Sequence, residues 1–400
     1  MADHLYHLPI LLGQVGDGRP RPRVCTMVVL SSVLLLFLTR RRSLHALEQT
    51  REQRFWRRWL RSPAPSADTT GRVLAQVEMQ SLREVLYALY HQFRRKKVLP
   101  APVHGLRSLI LDGHESSCSY RRHCAACLQR RKQLGGKERV QFYHRNVTAL
   151  LQIGPFSFLL DVEAQRSGED EVATALRLFR RVVRLIPRAF DVVLVDGLYA
   201  RTGFFQAVQN HGKDVIAVLK ENRPDLLQDA RGLFATLMPT QEISGRTKRL
   251  CWDEIGFTSW PEFPQGIRVV RSLETTPPTS SAESGQEDQP SDWFWVTTLS
   301  PRRAPTPTVI EQGHDRWAIE NQGFNELVQH WHANHVFHHR PSAIEGFWLL
   351  AMVAYNLFHA FVDRQIKLPL RERHTRLHWA AQMAAALYQD SLVEPWALPP

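Results

Sequence analysis

FDVVLVDGLY, Phe190–Tyr199, is the stretch on which the reading of the whole chain turns. Val192, Val193, Leu194 and Val195 form an unbroken apolar run that stops at Asp196. A run without alternation predicts a strand buried on both faces, as in the middle of an α/β sheet. The Asp196 carboxylate then stands at the C-terminal end of that strand, where open α/β sheets place their ligands. An aspartate there also caps helices and makes turns. Taken alone, Asp196 is as readily structural as functional.

Working outward, GLRSLILDGHE (Gly105–Glu115) carries a second apolar run, which stops at Asp112. Phe142–Ile153 and Pro155–Val162 predict two more strands joined by a turn at Gly154-Pro155. Ser167–Val172 places acidic residues in the first turn of a helix, which suits the helix dipole, and the helix continues through ALRLFRRVVRL to Pro187. After Asp196 come a helix over Thr202–His211, a strand over Asp214–Lys220 and a helix from Pro224 to about Leu237. The order is β-β-β-α-β-α-β-α. It predicts an α/β fold, a mixed sheet with flanking helices.

Residues 240–306 change character. RTKRLCWDEI, IRVVRSLE and DWFWVTTL are short, aromatic or β-branched runs and predict an all-β insertion. Within it, Thr275–Ser291 is rich in Pro, Ser, Thr and acidic residues and predicts a solvated loop or disordered hairpin tip. Helical periodicity returns from Pro307 and continues to about residue 365. The tail, 366–400, carries a helix over His378–Tyr388 and then a Pro-rich coil. Residues 1–100 predict a helical, basic region able to bind DNA, followed by the first part of the core over 101–239. Trp56 and Trp59 lie on one helical face there and predict a packing stripe more readily than a base-stacking platform.

With 51 Lys and Arg against 39 Asp and Glu, the 400-residue chain carries a net charge of +12. That excess favours a polyanionic partner, nucleic acid first and a membrane surface second. Five cysteines, three of them clustered, argue against a disulfide framework and for a reducing cytosol. Val24–Leu38 is strongly apolar, but 15 residues of helix reach only about 23 Å against a hydrocarbon core of about 30 Å. A buried helix is expected, with a membrane anchor or signal peptide as the alternatives and no stable membrane association.

The chemistry starts from the two aspartates. If their strands are neighbours, Asp112 and Asp196 converge at one sheet end, which is costly unless a cation lies between them. Oxygen ligands of this kind suit Mg²⁺ or Mn²⁺, and a third carboxylate is needed to hold two ions for phosphoryl displacement. Glu320, in HDRWAIENQGF, is the candidate. Arg316, four residues before it, shares its helical face and can reach the same phosphate, while Phe324 would pin the helix to the sheet. The plain alternative is an exposed Arg–Glu pair of the ordinary helical kind.

LILDGHE, VVLVDGLYA and RWAIENQGFNEL, in this order and with a β insertion before the last, resemble the DDE transposases of bacterial insertion sequences. The likeness is to the cut-and-paste branch, and extends over DVIAVLKENRPDLLQDA and HWHANHVFHHRPSAI, from about Leu106 to Phe361. In that family the Glu follows an Arg by four, as Glu320 follows Arg316. Two family positions differ: its Tyr before the Arg falls on Gly313, and its Lys seven after the Glu falls on Leu327. The resemblance implies an RNase H-like fold with Asp112, Asp196 and Glu320 as catalytic residues holding two Mg²⁺ (or Mn²⁺) ions. It implies metal-assisted hydrolysis at transposon ends, then attack of a 3′-hydroxyl on target DNA. Tyr199 belongs to the same signature without an assigned role. Double-stranded DNA is the implied partner, a homodimer on DNA the implied assembly, and the nucleoid in the cytoplasm the implied location. Lys220, Arg223 and Arg316 are the candidates for phosphate contacts.

Two clusters remain. Cys118, Cys124 and Cys127 could hold a structural Zn²⁺ with a histidine such as His114, His123 or His144, or be free thiols. His330, His332, His335, His338 and His339 lack the acid between them that a zinc protease needs, and phosphate contact or packing around Trp331 is the better expectation. Two rivals to a transposase stay open: a zinc-stabilised DNA-binding protein whose carboxylates are structural, and a domesticated RNase H-like nuclease without transposition.

Overall fold

The structure, a computed structural model, describes residues 1–102, 105–277 and 290–392. Its centre is one mixed sheet of ten strands. The strands are β1 (Ser108–Ser119), β2 (Leu128–Leu134), β3 (Lys137–Ile153), β4 (Phe156–Ala164), β5 (Val192–Val195), β6 (Asp214–Val218), β7 (Thr240–Ser244), β8 (Thr247–Phe257), β9 (Ile267–Thr275) and β10 (Ser291–Thr297). They lie in the order β2-β3-β1-β5-β6-β10-β9-β8-β7, with β4 paired to β3. β5 runs parallel to both β1 and β6, and all four of its residues are buried, as an unbroken Val-Val-Leu-Val run demands.

Three readings of the sequence are changed by the sheet. Asp112 does not end its strand: β1 continues to Ser119 because β3, 17 residues long, goes on pairing with it, Asp112 opposite Thr148. What ends near Asp112 is the pairing with β5, whose last partner on β1 is Ile110. β2 was not anticipated, since LQRRKQL has no apolar face; its pairing with β3 holds it. The β insertion is no separate sheet. β10 pairs antiparallel with β6, Trp295 opposite Val218, so β7 to β10 extend the core sheet and cover an edge that would otherwise leave its backbone groups unpaired. The expected loop over Thr275–Ser291 falls for residues 278–289 outside the described residues.

Helices cover the sheet. α1 (Glu171–Leu185) packs on β3 and β4, its first turn capped by the Asp170 carboxylate, which accepts from Ala173 N–H at 2.8 Å. α2 (Thr202–Gln209) follows β5 and α3 (Pro224–Thr236) follows β6. Beyond β10 come α4 (Thr306–Asp315), α5 (Asn325–Trp331) and the long α6 (Pro341–Gln365). Asn356 of α6 pins it to β4 by bonding both backbone groups of Leu159, at 2.9 and 2.8 Å. The apolar helix Thr26–Leu38 packs on α6 with most of its residues buried, as expected for the Val24–Leu38 run. Among the described residues α6 alone is long and apolar enough to cross a bilayer, and 83% of its apolar window is buried inside the fold. Trp56 is buried and Trp59 half exposed, so only the first is a packing residue.

Candidate active site

β1 and β5 set the geometry. Ser108, Leu109 and Ile110 lie abreast of Val192, Val193 and Leu194 in a parallel pair. Asp112 and Asp196 each follow a paired residue, Ile110 and Leu194, by two. The same register therefore carries both aspartates past the last paired rung toward one end of the sheet, where the charge of Arg316 acts on each. β5 stops at Val195, and Asp196 caps the short turn Gly197–Tyr199. Lys220, just past the end of β6, donates to Asp196 Oδ1 at 2.8 Å. Burial pushes the Asp196 carboxyl up, but Lys220, Gly197 N–H and the charge of Arg316 outweigh it and hold the group below the usual carboxylate range.

Glu320 reaches this place from the other side of the chain. The helical period seen in the sequence is broken between α4 and α5 by a π-helical turn, Ile319–Phe324, and Glu320 is its second residue. Wide turns of this kind are frequent at functional sites. Phe324 stacks on His114 of β1, ring centroids 4.7 Å apart, which fixes the turn to the strand that carries Asp112. Arg316 Nη1 donates to Glu320 Oε1 at 2.9 Å and approaches Asp112 Oδ2 at 3.5 Å. The pair is the expected i, i+4 pair, with its arginine buried, 4% exposed, and the Glu320 side chain open to solvent at 38%.

Burial dominates at Asp112 and pushes its carboxyl up to about 7, against the pull of Arg316 and Gly113 N–H; the charges of Glu171 and Glu320 add to the rise. Between about pH 4 and pH 7 the metal-free folded chain keeps a proton on Asp112 that the unfolded chain releases, so stability from this group is full at the acid end and is lost as pH rises. In urea titrations without divalent ions, Asp112→Asn should gain on wild type by up to about 4 kcal/mol over that interval. A gap between the two that stays constant with pH would contradict the burial argument.

The donor set fits hard divalent cations: three carboxylates, one protonated with ease and one salt-bridged to a half-exposed lysine. Arg316 lies within this set. Its guanidinium places positive charge between Asp112 and Glu320, while its buried Nε has no hydrogen-bond partner.

Residues 108–357, well over half the chain, match the family described as Transposase DDE domain. The chain belongs to the DDE transposase family. Comparison with curated proteins found no match. The mixed sheet with flanking helices is the RNase H-like architecture of such transposases, enzymes that cut and join DNA strands, generally with divalent metal ions.

Within the transposase domain the two departures from the family pattern have local causes. Leu327 is fully buried and packs in the core. At Gly313 a Cβ would stand 2.3 Å from Nε1 of the buried Trp295, so the indole fills the space a larger residue would need. Gly313→Ala should cost about 1–3 kcal/mol through overpacking, read as a lowered melting temperature. An unchanged melting temperature would mean that Trp295 has room to move.

Of the three basic candidates, Lys220 is half exposed beside Asp196. Arg223 instead donates to Ala200 O at 2.8 Å and lies over the Trp260 ring at 4.3 Å, and Arg316 is enclosed by carboxylates. Sequence reasoning missed Glu171, noticed only as an acid in a first turn. It is 7% exposed, receives Arg145 Nε at 2.8 Å and Tyr199 Oη at 2.8 Å, and its charge acts on Asp112. Gly113 makes room for it: a Cβ there would lie 2.2 Å from the Glu171 carboxylate. Tyr199, once without a role, is the fully buried donor that holds Glu171 in place. No signal short of the fold joins residues 113, 171 and 199.

The cysteines separate. Cys124, Cys127 and His144 come together, whereas Cys118 is exposed on β1, His114 stacks on Phe324 and His123 on Phe142. In the histidine-rich segment Trp331 is buried beneath Arg40, whose guanidinium lies 3.7 Å from the ring.

Proposed function

We propose that this chain is the transposase of a bacterial insertion sequence, cleaving DNA at the element's ends and joining the freed 3′ ends to target DNA. The observation that carries the reading is the meeting of Asp112 and Glu320 on one guanidinium, beside the strand that delivers Asp196. Asp112, Asp196 and Glu320 would hold two Mg²⁺ or Mn²⁺ ions. When bound, those ions activate the attacking water or 3′-hydroxyl and stabilise the leaving oxygen. Arg316 then has a second task, to balance the carboxylate charge before the ions arrive and to face the substrate phosphate afterwards. Lys220 is placed to do the same at Asp196. Arg223 acts through Trp260 and Ala200, holding the turn after Asp196 rather than touching phosphate.

The basic net charge suits double-stranded DNA, the cytoplasmic nucleoid is the place where that partner lies, and pairing of two element ends calls for a homodimer on DNA. The test uses duplexes carrying the inverted repeats that flank the reading frame. With Mg²⁺ or Mn²⁺, the chain should nick at the repeat boundary and join the 3′ end to a second duplex. Tight binding to those duplexes with no cutting by any divalent ion would reduce the protein to a DNA-binding module.

A further inference from the structure

The connection between β1 and β2, residues 120–127, brings Cys124 and Cys127 onto β3 beside His144. The two Sγ atoms are 3.7 Å apart, and His144 Nε2 is 3.3 Å from each. The Cys-x-x-Cys loop is already folded into a turn: Cys127 N–H donates to Cys124 O at 3.2 Å, and Cys124 N–H points at Cys127 Sγ at 3.2 Å. A tetrahedral ion with Zn–S of about 2.3 Å and Zn–N of about 2.0–2.1 Å requires S···S edges of about 3.8 Å and S···N edges of about 3.5 Å. The three observed edges match that triangle to within a few tenths of an ångström.

We propose that Cys124, Cys127 and His144 form a zinc site, independent of the carboxylate site, that clamps the root of the β2–β3 hairpin. Two thiolates and an imidazole select zinc over the hard ions suited to Asp112, Asp196 and Glu320. The fourth position goes to water or to His339, the histidine from another segment whose charge acts on His144. Cys118 is not a ligand.

The clamp has something to hold. From Tyr120 to Gln141 the chain carries seven basic residues and one acid, and most of the hairpin is exposed. LQRRKQL offers no apolar face to anchor such an arm; Arg130 is tied back toward the sheet by two 2.7 Å bonds to Glu115, and His123 by its stacking on Phe142. A metal at the root replaces the missing hydrophobic anchorage, and the arm presents its charge to a phosphate backbone. That last step alone rests on DNA as the substrate; the metal site does not.

The test is the zinc content of the full chain, purified under reducing conditions without chelator. One zinc per chain is expected, released by a thiol-blocking mercurial. Cobalt substitution should give thiolate-to-metal charge-transfer absorption. Cys124→Ser and His144→Ala should lose the ion, Cys118→Ser should keep it, and chelation should make residues 120–140 sensitive to trypsin while the rest of the chain stays protected. A wild-type chain without thiol-bound zinc, a Cys124–Cys127 disulfide in its place, or loss of zinc in Cys118→Ser would overturn the proposal. None of these readouts depends on DNA cleavage, so failure of the transposase reading would leave them intact.

Discussion

Asp196→Ala should abolish strand cleavage and joining while leaving the chain folded and bound to DNA. Asp196 stands at the end of a fully buried strand, yet its own side chain is one-third exposed and its partner, Lys220, is more exposed still. Removing it therefore strands no charge in the interior, and the fold should lose at most about 1 kcal/mol. The chemistry loses far more. With one of the three proposed ligands gone, the proposed site would no longer hold two ions, and a drop of at least about 10³-fold is expected, equivalent to roughly 4 kcal/mol in the barrier. Affinity for the element ends should hold or rise, since a negative charge facing phosphate has been taken away. The readouts are circular dichroism, end binding by gel shift and product formation on the same preparation. A folded Asp196→Ala chain that cuts at the wild-type rate removes Asp196 from the site, and with it the reading of the β1–β5 register. Glu320→Gln should behave similarly, with the added sign that the 2.9 Å partner of Arg316 keeps its acceptor oxygen but loses its charge.

What could be read from the sequence follows from where the physics is local. A Val-Val-Leu-Val run ended by an aspartate is a buried strand whatever surrounds it, and Arg316 with Glu320 is a helical spacing that survives even a wide turn. The wide turn itself was not legible, because six residues of altered pitch leave no separate period in the pattern. β2 was invisible because five of its seven residues are polar, with leucine only at its two ends, and β3 makes them a strand. Nor does any local pattern say that β10 would pair with β6, or that Tyr199 and Glu171 would meet 28 residues apart under Asp112. In each case the deciding contact is between segments, and a linear pattern records only the surfaces available for it.

The largest loss of stability is expected from Asp161→Ala, far from the chemistry. Asp161 of β4 is wholly buried, and it accepts from Arg181 Nε of α1 at 2.7 Å, Tyr87 Oη at 2.8 Å and Arg83 Nε at 3.2 Å. Arg83 and Tyr87 belong to the helix Met79–Arg95, and Arg83 also pairs with Glu345 of α6. One carboxylate thus joins the N-terminal helices, the sheet and the helix after it. Glu163, two residues on, shares Arg181 and holds Arg177, and the two arginines keep it below the usual carboxylate range against its burial. Alanine at 161 removes the innermost counter-charge of Arg83 and Arg181 and leaves them only Glu345 and Glu163 in a nearly enclosed place, a loss that costs about 3–5 kcal/mol. That is a large part of the 5–15 kcal/mol typical of a folded domain. Asn at the same position keeps an acceptor for Tyr87 and one arginine, and should lose about 1–3 kcal/mol. Urea denaturation of both variants checks the order. Because the carboxylate anchors the N-terminal layer, Asp161→Ala should also expose residues 1–100 to proteolysis before the sheet unfolds. A loss below about 1 kcal/mol in Asp161→Ala would mean that water or Glu163 takes over the arginines, and that the N-terminal helices hold to the core by apolar contact alone.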